Sequence, residues 1–459
     1  MQATDFSTLA LTPEMLSNLD SLDYMEMTPI QAESLPVILN RQDLIAQAKT
    51  GSGKTAAFGI GLLSFIDLQQ YSTQALVLCP TRELADQVAK EIRRLARTTQ
   101  NIKLLSLCGG SPIGPQYASL KHGAQIVVGT PGRIQKHLRQ GSLVLDQLKV
   151  LVLDEADRML DMGFYDDMAE IISTTPDSRQ TLLFSATYPD SIKKMSQAFQ
   201  KNPVIVKVES THSHKHIQQI FYEFDKGERS RTLIALLTHY QPESVLVFCN
   251  TRQQCNELAD DLRDKGYYAR ALHGDLEQKD RDRVLVQFAN KSTSILIATD
   301  VAARGLDIKD LDAVINYDLP RDPEIYIHRI GRTGRAGQQG LALSIFMASE
   351  AFRVNAIEEY QSAPVMIQET STLKEKNITS LKPAMVTLSV NGGRKDKVRA
   401  GDILGALTKD TELPGHKIGK IDIFDTVTYI AVERPVAKQA LNILSSGKIK
   451  GRKFKARKI

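Results

Sequence analysis

Long apolar runs are absent from the 459-residue sequence, and none approaches the ~18 residues of a membrane-spanning helix, so we expect no membrane segment. The first residues contain neither the basic nor the apolar stretch of a secretory signal, and none is expected. The four cysteines are scattered and form no CxxC pair. This excludes a disulfide framework and argues against a cysteine zinc site. Together these absences predict a protein of the reducing cytoplasm.

The charge is unevenly distributed along the chain. Hydrophobic residues make up 42% and charged residues 24%, which are ordinary globular values and exclude a disordered chain. From residue 381 onward there are 17 Lys/Arg and 7 Asp/Glu, a net charge of +10, whereas the preceding residues carry −5. A basic module attached to a mildly acidic body indicates an anionic partner, most often a nucleic acid.

Short apolar runs alternate with amphipathic helical patterns over about the first 360 residues. This alternation is typical of parallel sheets covered by helices on both faces. Two sets of runs predict two α/β lobes. The first set lies at residues 75–79, 125–128, 150–153 and 181–184, and the second at 244–249, 294–298 and 313–316.

Polar stretches without apolar periodicity divide the chain into three predicted domains. We expect one lobe at residues 1–207 and another at 217–365, with linkers at 208–216 and 366–382. The basic module, 383–459, has the order βαββαβ, which suits a ferredoxin-like or RRM-like fold. Its predicted strands are 385–390, 418–424, 427–432 and 448–455, and its predicted helices are 400–407 and 437–444.

Residues 48–55, Ala-Lys-Thr-Gly-Ser-Gly-Lys-Thr, form the strongest local signal. Small residues let backbone N–H groups cradle phosphates, Lys54 can reach the β- and γ-phosphates, and the Thr55 hydroxyl can ligate Mg²⁺. Ala48 departs from the strict pattern, which has glycine there, and a glycine-rich turn opening a helix is the alternative. The candidate nucleotide-binding residues are Ala48, Lys49, Thr50, Gly51, Ser52, Gly53, Lys54 and Thr55.

An acidic segment, Asp-Glu-Ala-Asp at residues 154–157, directly follows an apolar run. At the end of a strand, Asp154 could hold Mg²⁺ and Glu155 could serve as general base. Three carboxylates in four residues are also typical of a solvated helix start. The position after a buried strand, together with the upstream phosphate-binding loop, favours the catalytic interpretation.

The chain resembles a DEAD-box RNA helicase, because motifs of that family follow one another in order across residues 6–335. Tyr24 and Phe6 stand where the family has aromatic residues, just before segment 27–31 and further upstream. Asp23 departs from the family, which usually has glycine at that position. The matching segments are 27–31, 48–55, 80–84, 109–110, 130–133, 154–157, 185–187, 247–251, 278–281, 298–307 and 328–335.

The resemblance implies two RecA-like lobes that hydrolyse ATP with Mg²⁺. Tyr24 would stack on the adenine, Gln31 would recognise its edge, and Thr28 would support Gln31. Asp307 would contact the nucleotide. Arg332 and Arg335 would bring positive charge from the second lobe to the γ-phosphate when the lobes close.

The resemblance also implies an RNA site across both lobes and a link between the two ligand sites. Asp157, Ser185 and Thr187 would carry the coupling. Contacts to the RNA backbone carry no sequence information, and the family recognises the ribose 2′-hydroxyl. The expected RNA-binding residues of the lobes are Arg82, Gly110, Thr130, Arg133, Thr251, Gly274 and Thr299.

The C-terminal module resembles the RRM-like RNA-binding domain of bacterial DbpA-type helicases, which recognise a hairpin of large-subunit ribosomal RNA. Tyr429 is a single aromatic where RRM domains have three, and Thr387 replaces another, so the usual stacking platform is mostly missing. Residues 448–459 contain seven Lys/Arg and no acid, which favours a positive strand face. The expected RNA-binding residues here are Tyr429, Lys448, Lys450, Arg452, Lys453 and Lys455.

Three alternating histidines, His212, His214 and His216, would share a face in an extended strand and suggest a metal site. Only Glu209 lies nearby as a further ligand. A solvated linker is the preferred interpretation.

We therefore expect a monomeric, cytoplasmic, RNA-stimulated ATPase and helicase that acts on 23S ribosomal RNA during large (50S) subunit assembly. Three alternatives stay open at this point. They are a passive RNA-binding scaffold with a decayed ATPase, a DNA helicase, and a general cold-stress or RNA-decay helicase.

Overall fold

The computed structural model describes residues 4–48, 51–208, 217–303, 311–334, 339–373, 382–409 and 413–459. It contains two seven-stranded parallel sheets with helices on both faces, followed by a four-stranded antiparallel sheet. This confirms the predicted fold of two RecA-like lobes and an RRM-like domain. No helix in the described ranges is long and apolar enough to cross a bilayer.

The first lobe is a parallel sheet with the strand order β3-β4-β2-β5-β6-β1-β7. Its central strands are completely buried, because helices cover both faces. The strands are β1 Leu44–Gln47, β2 Ala75–Leu78, β3 Leu104–Leu107, β4 Ile126–Gly129, β5 Val150–Asp154, β6 Gln180–Ser185 and β7 Val204–Lys207. The helices are α1 Pro13–Asp20, α2 Pro29–Leu39, α3 Lys54–Phe65, α4 Arg82–Leu95, α5 Gly114–Leu120, α6 Pro131–Arg139, α7 Ala156–Asp161, α8 Tyr165–Ser173 and α9 Asp190–Phe199.

The second lobe repeats this architecture with the strand order β10-β11-β9-β12-β13-β8-β14. The strands are β8 Ile217–Glu223, β9 Val245–Phe248, β10 Ala269–Leu272, β11 Ile295–Ala298, β12 Ala313–Asn316, β13 Gly340–Phe346 and β14 Met366–Glu369. The helices are α10 Arg229–Tyr240, α11 Arg252–Asp264, α12 Gln278–Ala289, α13 Asp300–Ala303, α14 Pro323–Ile330 and α15 Ala351–Gln361. Strand β14 pairs with β8 inside the stretch expected to be a polar linker.

The C-terminal domain is an antiparallel sheet of order β16-β17-β15-β18 with two helices on one face. Its elements are β15 Met385–Val390, α16 Ala400–Thr408, β16 Ile418–Ile423, β17 Thr428–Glu433, α17 Ala437–Ser446 and β18 Ala456–Lys458. The predicted order βαββαβ is thus confirmed.

The predicted last strand, residues 448–455, is wrong. Lys450 and Gly451 both have positive φ, 49° and 79°, and Ile449 and Arg452 exchange backbone hydrogen bonds of 2.8 and 3.0 Å. Two consecutive positive φ angles across such a pair define a type I′ turn. The strand begins only at Ala456, so the basic residues of 448–455 lie on a turn and the segment after it rather than on one strand face.

The sheet face opposite the domain's own helices is covered by the second lobe. Thr387 and Ser389 of β15 point away from the domain's core, yet they are only 0% and 1% exposed. The Thr387 hydroxyl lies 2.7 Å from the Ser292 hydroxyl, and the Asn290 side-chain amide donates to it at 3.3 Å. Such bonds contribute about 0.5–1.5 kcal/mol each, and they satisfy polar groups that burial would otherwise penalise.

An aromatic contact extends the same interface. The Arg434 guanidinium lies over the Tyr268 ring, 5.0 Å from its centroid, and donates to the Tyr268 hydroxyl at 3.5 Å. Stacking of this kind favours arginine over lysine because the guanidinium is planar. The second lobe and the C-terminal domain are therefore packed together through the sheet.

We predict that Thr387→Arg loosens this packing, since the long cation cannot be buried against Ser292 and Asn290 without a partner. Small-angle X-ray scattering should give a larger radius of gyration than the wild type. Ser446→Arg, at the exposed end of α17, is the matched control and should leave it unchanged. Equal radii for Thr387→Arg and the wild type would contradict the prediction.

Candidate nucleotide and RNA site

The loop between β1 and α3 is shaped to receive an anion. Gly53 has φ 97°, and a Cβ there would lie 2.7 Å from Gln31 Nε2 and 2.9 Å from the Thr28 hydroxyl, so only glycine fits. Lys54, the first residue of α3, is buried and donates from Nζ to the Ala48 carbonyl at 2.8 Å. The lysine thus lies under the loop at a helix N-terminus, where phosphates bind favourably. Lys49 and Thr50 lie outside the described residues.

Thr28 and Gln31 at the start of α2 hold this loop. The Thr28 hydroxyl donates to the Ser52 carbonyl at 2.8 Å, and Gln31 Nε2 donates to the Gly53 carbonyl at 3.2 Å. The other end of the amide, Gln31 Oε1, accepts from the Thr28 backbone N–H at 2.8 Å. Gln31 is 1% exposed. Here its amide positions the loop, and its edge is not open to a base.

Tyr24 lies beside this motif, half-buried. Its hydroxyl donates to Glu91 Oε1, and the Arg94 guanidinium lies 5.3 Å from its ring centroid. Phe6 contacts it edge-on at 6.3 Å. Burial raises the pKa of the Tyr24 hydroxyl, so the phenol stays protonated and neutral.

Asp154 ends β5 next to this loop and is 3% exposed. Burial raises the pKa of its carboxyl to about 7, Lys54 opposes this shift, and the neighbouring Glu155 adds to it. The cause is the low polarity of the surroundings, which penalises the charged carboxylate. A cation at this position would favour the ionised form.

Glu155 has a left-handed backbone, φ 52°, between the end of β5 and the start of α7. Its carboxylate accepts from Arg158 Nη1 at 2.8 Å, and both side chains are buried. Breaking such a buried pair is costly because it leaves an uncompensated charge. The arginine therefore holds the Glu155 carboxylate in place.

Asp157 connects the acidic segment to the end of β6. Its Oδ2 accepts from the backbone N–H of Ala186 and from the backbone N–H and the hydroxyl of Thr187, each at 3.1 Å. Three donors to one charged oxygen make a strong junction. The fully buried Ser185 hydroxyl has no partner among the described residues.

The expected RNA-binding residues of the first lobe meet at the carboxyl ends of β2, β3 and β4. The Arg82 guanidinium packs against the backbone at Gly110. Arg133 donates to the Ser111 carbonyl at 3.1 Å, and Thr130 directly precedes helix α6. The structure therefore brings these four sequence-predicted residues to one edge of the sheet.

The second lobe has the equivalent arrangement. Thr251 caps α11 and accepts from the Gln254 backbone N–H at 3.2 Å. Thr299 follows β11, and Gly274 follows β10. Because all these strands are parallel, the three residues lie at the same edge.

Sequence reasoning missed Arg329 as the organising residue of this edge. It is 1% exposed and forms a two-pronged pair with Asp300 at 2.7 and 2.8 Å. It also donates to the Asp318 carbonyl at 2.6 Å and to the Asn316 amide oxygen at 3.1 Å. The available signal was an arginine on the apolar face of α14, beside the buried Tyr326 and Ile330.

The predicted arginine fingers are only partly covered by the structure. Arg332 is 6% exposed just after α14. Arg335 and Asp307 lie outside the described residues, as do His212, His214 and His216.

The basic residues of the C-terminal domain are exposed on the turn and the segment after it. Lys448, Lys450, Arg452, Lys453 and Lys455 are all exposed. Tyr429, by contrast, lies 7% exposed on the sheet face that the second lobe covers. Its ring is not available there as an open platform for a base.

Three family models match consecutive parts of the chain. They are the DEAD/DEAH box helicase at residues 28–195, the helicase conserved C-terminal domain at 228–337 and the DbpA RNA binding domain at 387–458. Their order is that of the two parallel sheets and the antiparallel sheet.

Relatives and solved structures agree with this. The chain is 51% identical over 455 residues to the ATP-dependent RNA helicase DbpA of Escherichia coli, with 99% of each chain covered. It is 37% identical to the protein of the same name from Bacillus subtilis, again with 99% coverage of both. Dbp5 of Saccharomyces cerevisiae bound to RNA and ADP BeF3 matches 80% of this chain and 96% of its own, with 32% identity and a TM-score of 0.73.

The loop around Lys54, the acidic segment 154–157 and the C-terminal antiparallel sheet occur together in this chain, and its match to the Escherichia coli protein covers 99% of both sequences. The chain belongs to the DEAD-box ATP-dependent RNA helicases of the DbpA type.

Proposed function

We propose that this RNA helicase unwinds structured 23S ribosomal RNA locally during assembly of the large ribosomal subunit, and that its C-terminal domain delivers it to an RNA hairpin. The observation that carries this proposal is the DbpA RNA binding domain at residues 387–458, with its exposed basic turn. A covered sheet face and a basic turn favour recognition of RNA shape over stacking of single-stranded bases. The same features favour this role over a general RNA-decay helicase.

ATP binds to the loop between β1 and α3 in this proposal. Lys54 Nζ exchanges the Ala48 carbonyl for phosphate oxygens, and the backbone N–H groups at the start of α3 bind the same phosphates. Thr28 and Gln31 keep the loop in shape through their hydrogen bonds to it.

The residues around Asp154 fit Mg²⁺, which would neutralise phosphate charge when bound. Asp154 is a buried carboxylate, Thr55 supplies a hydroxyl, and the Ser52 hydroxyl is buried without a partner among the described residues. No cluster of three or more potential ligands from His, Cys, Asp and Glu occurs in the part of the chain described. Mg²⁺ commonly takes most of its oxygens from phosphates and water, so we expect the nucleotide to supply them.

Glu155 is the proposed general base. Its carboxylate accepts the proton of the attacking water, which requires the pair with Arg158 to open or turn. Arg332 and Arg335 are the proposed fingers that stabilise the transition-state charge. The junction of Asp157 with Ala186 and Thr187 is the proposed link by which nucleotide and RNA each strengthen binding of the other.

We predict that Glu155→Gln binds ATP and RNA but hydrolyses ATP at least ~100-fold more slowly, because an amide cannot accept the proton. RNA-stimulated turnover and the lifetime of the RNA complex would be measured together. Glu170→Gln, which alters an exposed ion pair with Arg139 in the same lobe, is the control and should keep wild-type turnover. Normal hydrolysis by Glu155→Gln would remove the residue from this role.

Arg335→Ala should lower turnover at saturating ATP by roughly 10³-fold or more, with little loss of ATP affinity, because a finger acts mainly in the transition state. Arg321→Ala removes an exposed arginine from the same lobe and should have no such effect. The finger assignment fails if affinity falls while turnover stays normal.

Removing residues 382–459 should abolish preference for large-subunit RNA over random RNA while RNA-stimulated ATPase survives at high RNA concentration. Because this deletion also uncovers the face around Asn290, a second variant keeps the domain and changes Lys450, Arg452 and Lys453 to Gln. Its log–log salt slope for RNA binding should fall by ~0.7–0.9 for each phosphate that these side chains neutralise in the wild type.

A matched control removes three exposed charges elsewhere in the same domain, with Lys395, Lys409 and Lys438 changed to Gln. Competition between large-subunit RNA and random RNA measures the preference. An unchanged preference in both the deletion and the basic-turn variant would place specificity in the lobes.

A further inference from the structure

The packing of the C-terminal domain on the second lobe creates a pocket of about 520 Å³. One side is formed by α11, α12 and the edge strand β10, and the other by the last residues of the chain, including β18. Neither part encloses this space alone. The pocket is therefore a property of the docked arrangement.

Cations dominate its lining. Two arginines are paired with carboxylates, Arg263 with Asp260 and Arg283 with Asp280, the latter at 3.1 Å. Three further cations, Arg270, Arg457 and Lys458, line the pocket without a third carboxylate side chain among its lining residues. The pocket thus carries an excess of positive charge.

The partners of two of these cations are neutral in the described structure. Arg270 Nε points at Gln287 Oε1 at 3.4 Å, and Arg457 Nε points at the Ser389 hydroxyl at 3.4 Å. Arg270 is partly buried, and burial together with Arg263 and Arg283 lowers the pKa of its guanidinium. Like charges held together in a partly dry site favour an anion between them.

The neighbourhood favours RNA as the source of that anion. Ala271 and Leu276 line the pocket, and Gly274, an expected RNA contact, lies between them in the chain. Arg281 donates to the His273 carbonyl at 3.3 Å and fixes the same loop. A strand of RNA at Gly274 therefore has phosphates within reach of the pocket.

We propose that this pocket binds a backbone phosphate of the RNA, held by Arg270 from the second lobe and Arg457 from the C-terminal domain. A planar guanidinium group can bind two phosphate oxygens at once, and both arginines line the same pocket. The inference rests on the proposed delivery of RNA by the C-terminal domain and adds a site that both domains must supply. Binding there favours the docked arrangement, and the docked arrangement in turn favours RNA binding.

The test uses the full-length protein and a hairpin RNA with a single-stranded extension. Arg270→Gln and Arg457→Gln should each weaken binding about tenfold and reduce the log–log salt slope by ~0.7–0.9. Because one phosphate bridges the two arginines, the double variant should lose less than the sum of the single losses. Arg270→Lys keeps the charge and should retain the slope, and circular dichroism checks folding of each variant.

Two controls remove a cation outside the pocket, Arg231→Gln on α10 and Lys438→Gln on α17, both exposed. If the salt slopes fall equally in the controls and the pocket variants, the arginines contribute only to the overall positive potential. If the losses of binding free energy in the double variant are strictly additive, the two arginines bind at separate sites. Either result overturns the proposal.

Inorganic phosphate distinguishes the source of the anion. If free phosphate shifts the NMR signals of these arginine side chains while RNA affinity is unchanged in the variants, the pocket is a small-anion site and the RNA proposal is wrong. Each variant is also measured with random RNA. If the wild type binds ribosomal and random RNA equally well, the proposed function is wrong. The pocket proposal is tested separately, by the log–log salt slopes and by the non-additive losses of the two arginine variants.

Discussion

Parallel pairing of all seven strands in each lobe is the constraint on which the functional arrangement depends. It places every strand's carboxyl end at one edge, where loops leave the buried sheet and polar side chains can meet. The loop after β1, the acidic segment after β5 and the junction after β6 are neighbours for this reason, although they lie up to 140 residues apart in the chain. Without this ordering, Lys54 and Asp154 could not lie close enough for one charge to influence the other.

Several polar groups of the candidate nucleotide site bind to one another. Lys54 donates to a backbone carbonyl, Glu155 pairs with Arg158, and the Gln31 side-chain amide donates to the loop. A ligand group can replace the partner of Lys54, so binding there exchanges one hydrogen bond for another instead of creating a new one in a dry cavity. The net free energy of such an exchange is smaller than the number of hydrogen bonds suggests.

The sequence predicted those parts of the fold in which local pattern and burial coincide. The central strands β2 and β9 are apolar throughout, β5 is apolar up to its last residue, Asp154, and all three are buried, so continuous apolar runs located them. The edge strands β10 and β14 are partly exposed and mixed in polarity, and no run marked them. These edge strands form by pairing with another strand, and the pattern of apolar residues along the sequence does not indicate such pairing.

The same distinction applies to the candidate site. Lys54 and Asp154 could be proposed from the sequence because phosphate and Mg²⁺ require fixed residue types at fixed spacing, and the structure places both beside the loop after β1. Arg329 escaped prediction because its partners come from other elements, Asn316 from strand β12 and Asp300 from helix α13. The turn at Lys450 was missed because alternating lysines resemble a strand, and only the positive φ of two consecutive residues reveals the reversal.

The contact of Thr387 with Ser292 and Asn290 determines where RNA bound to the C-terminal domain is held relative to the second lobe. A domain on a loose tether would hold its captured RNA in a wide volume around the lobes. A docked domain confines that RNA to a fixed distance and direction, which raises its effective concentration at the second lobe without any additional contact. Weak binding by the lobes that does not depend on RNA sequence would then be sufficient, because the docked C-terminal domain keeps its bound RNA next to the second lobe.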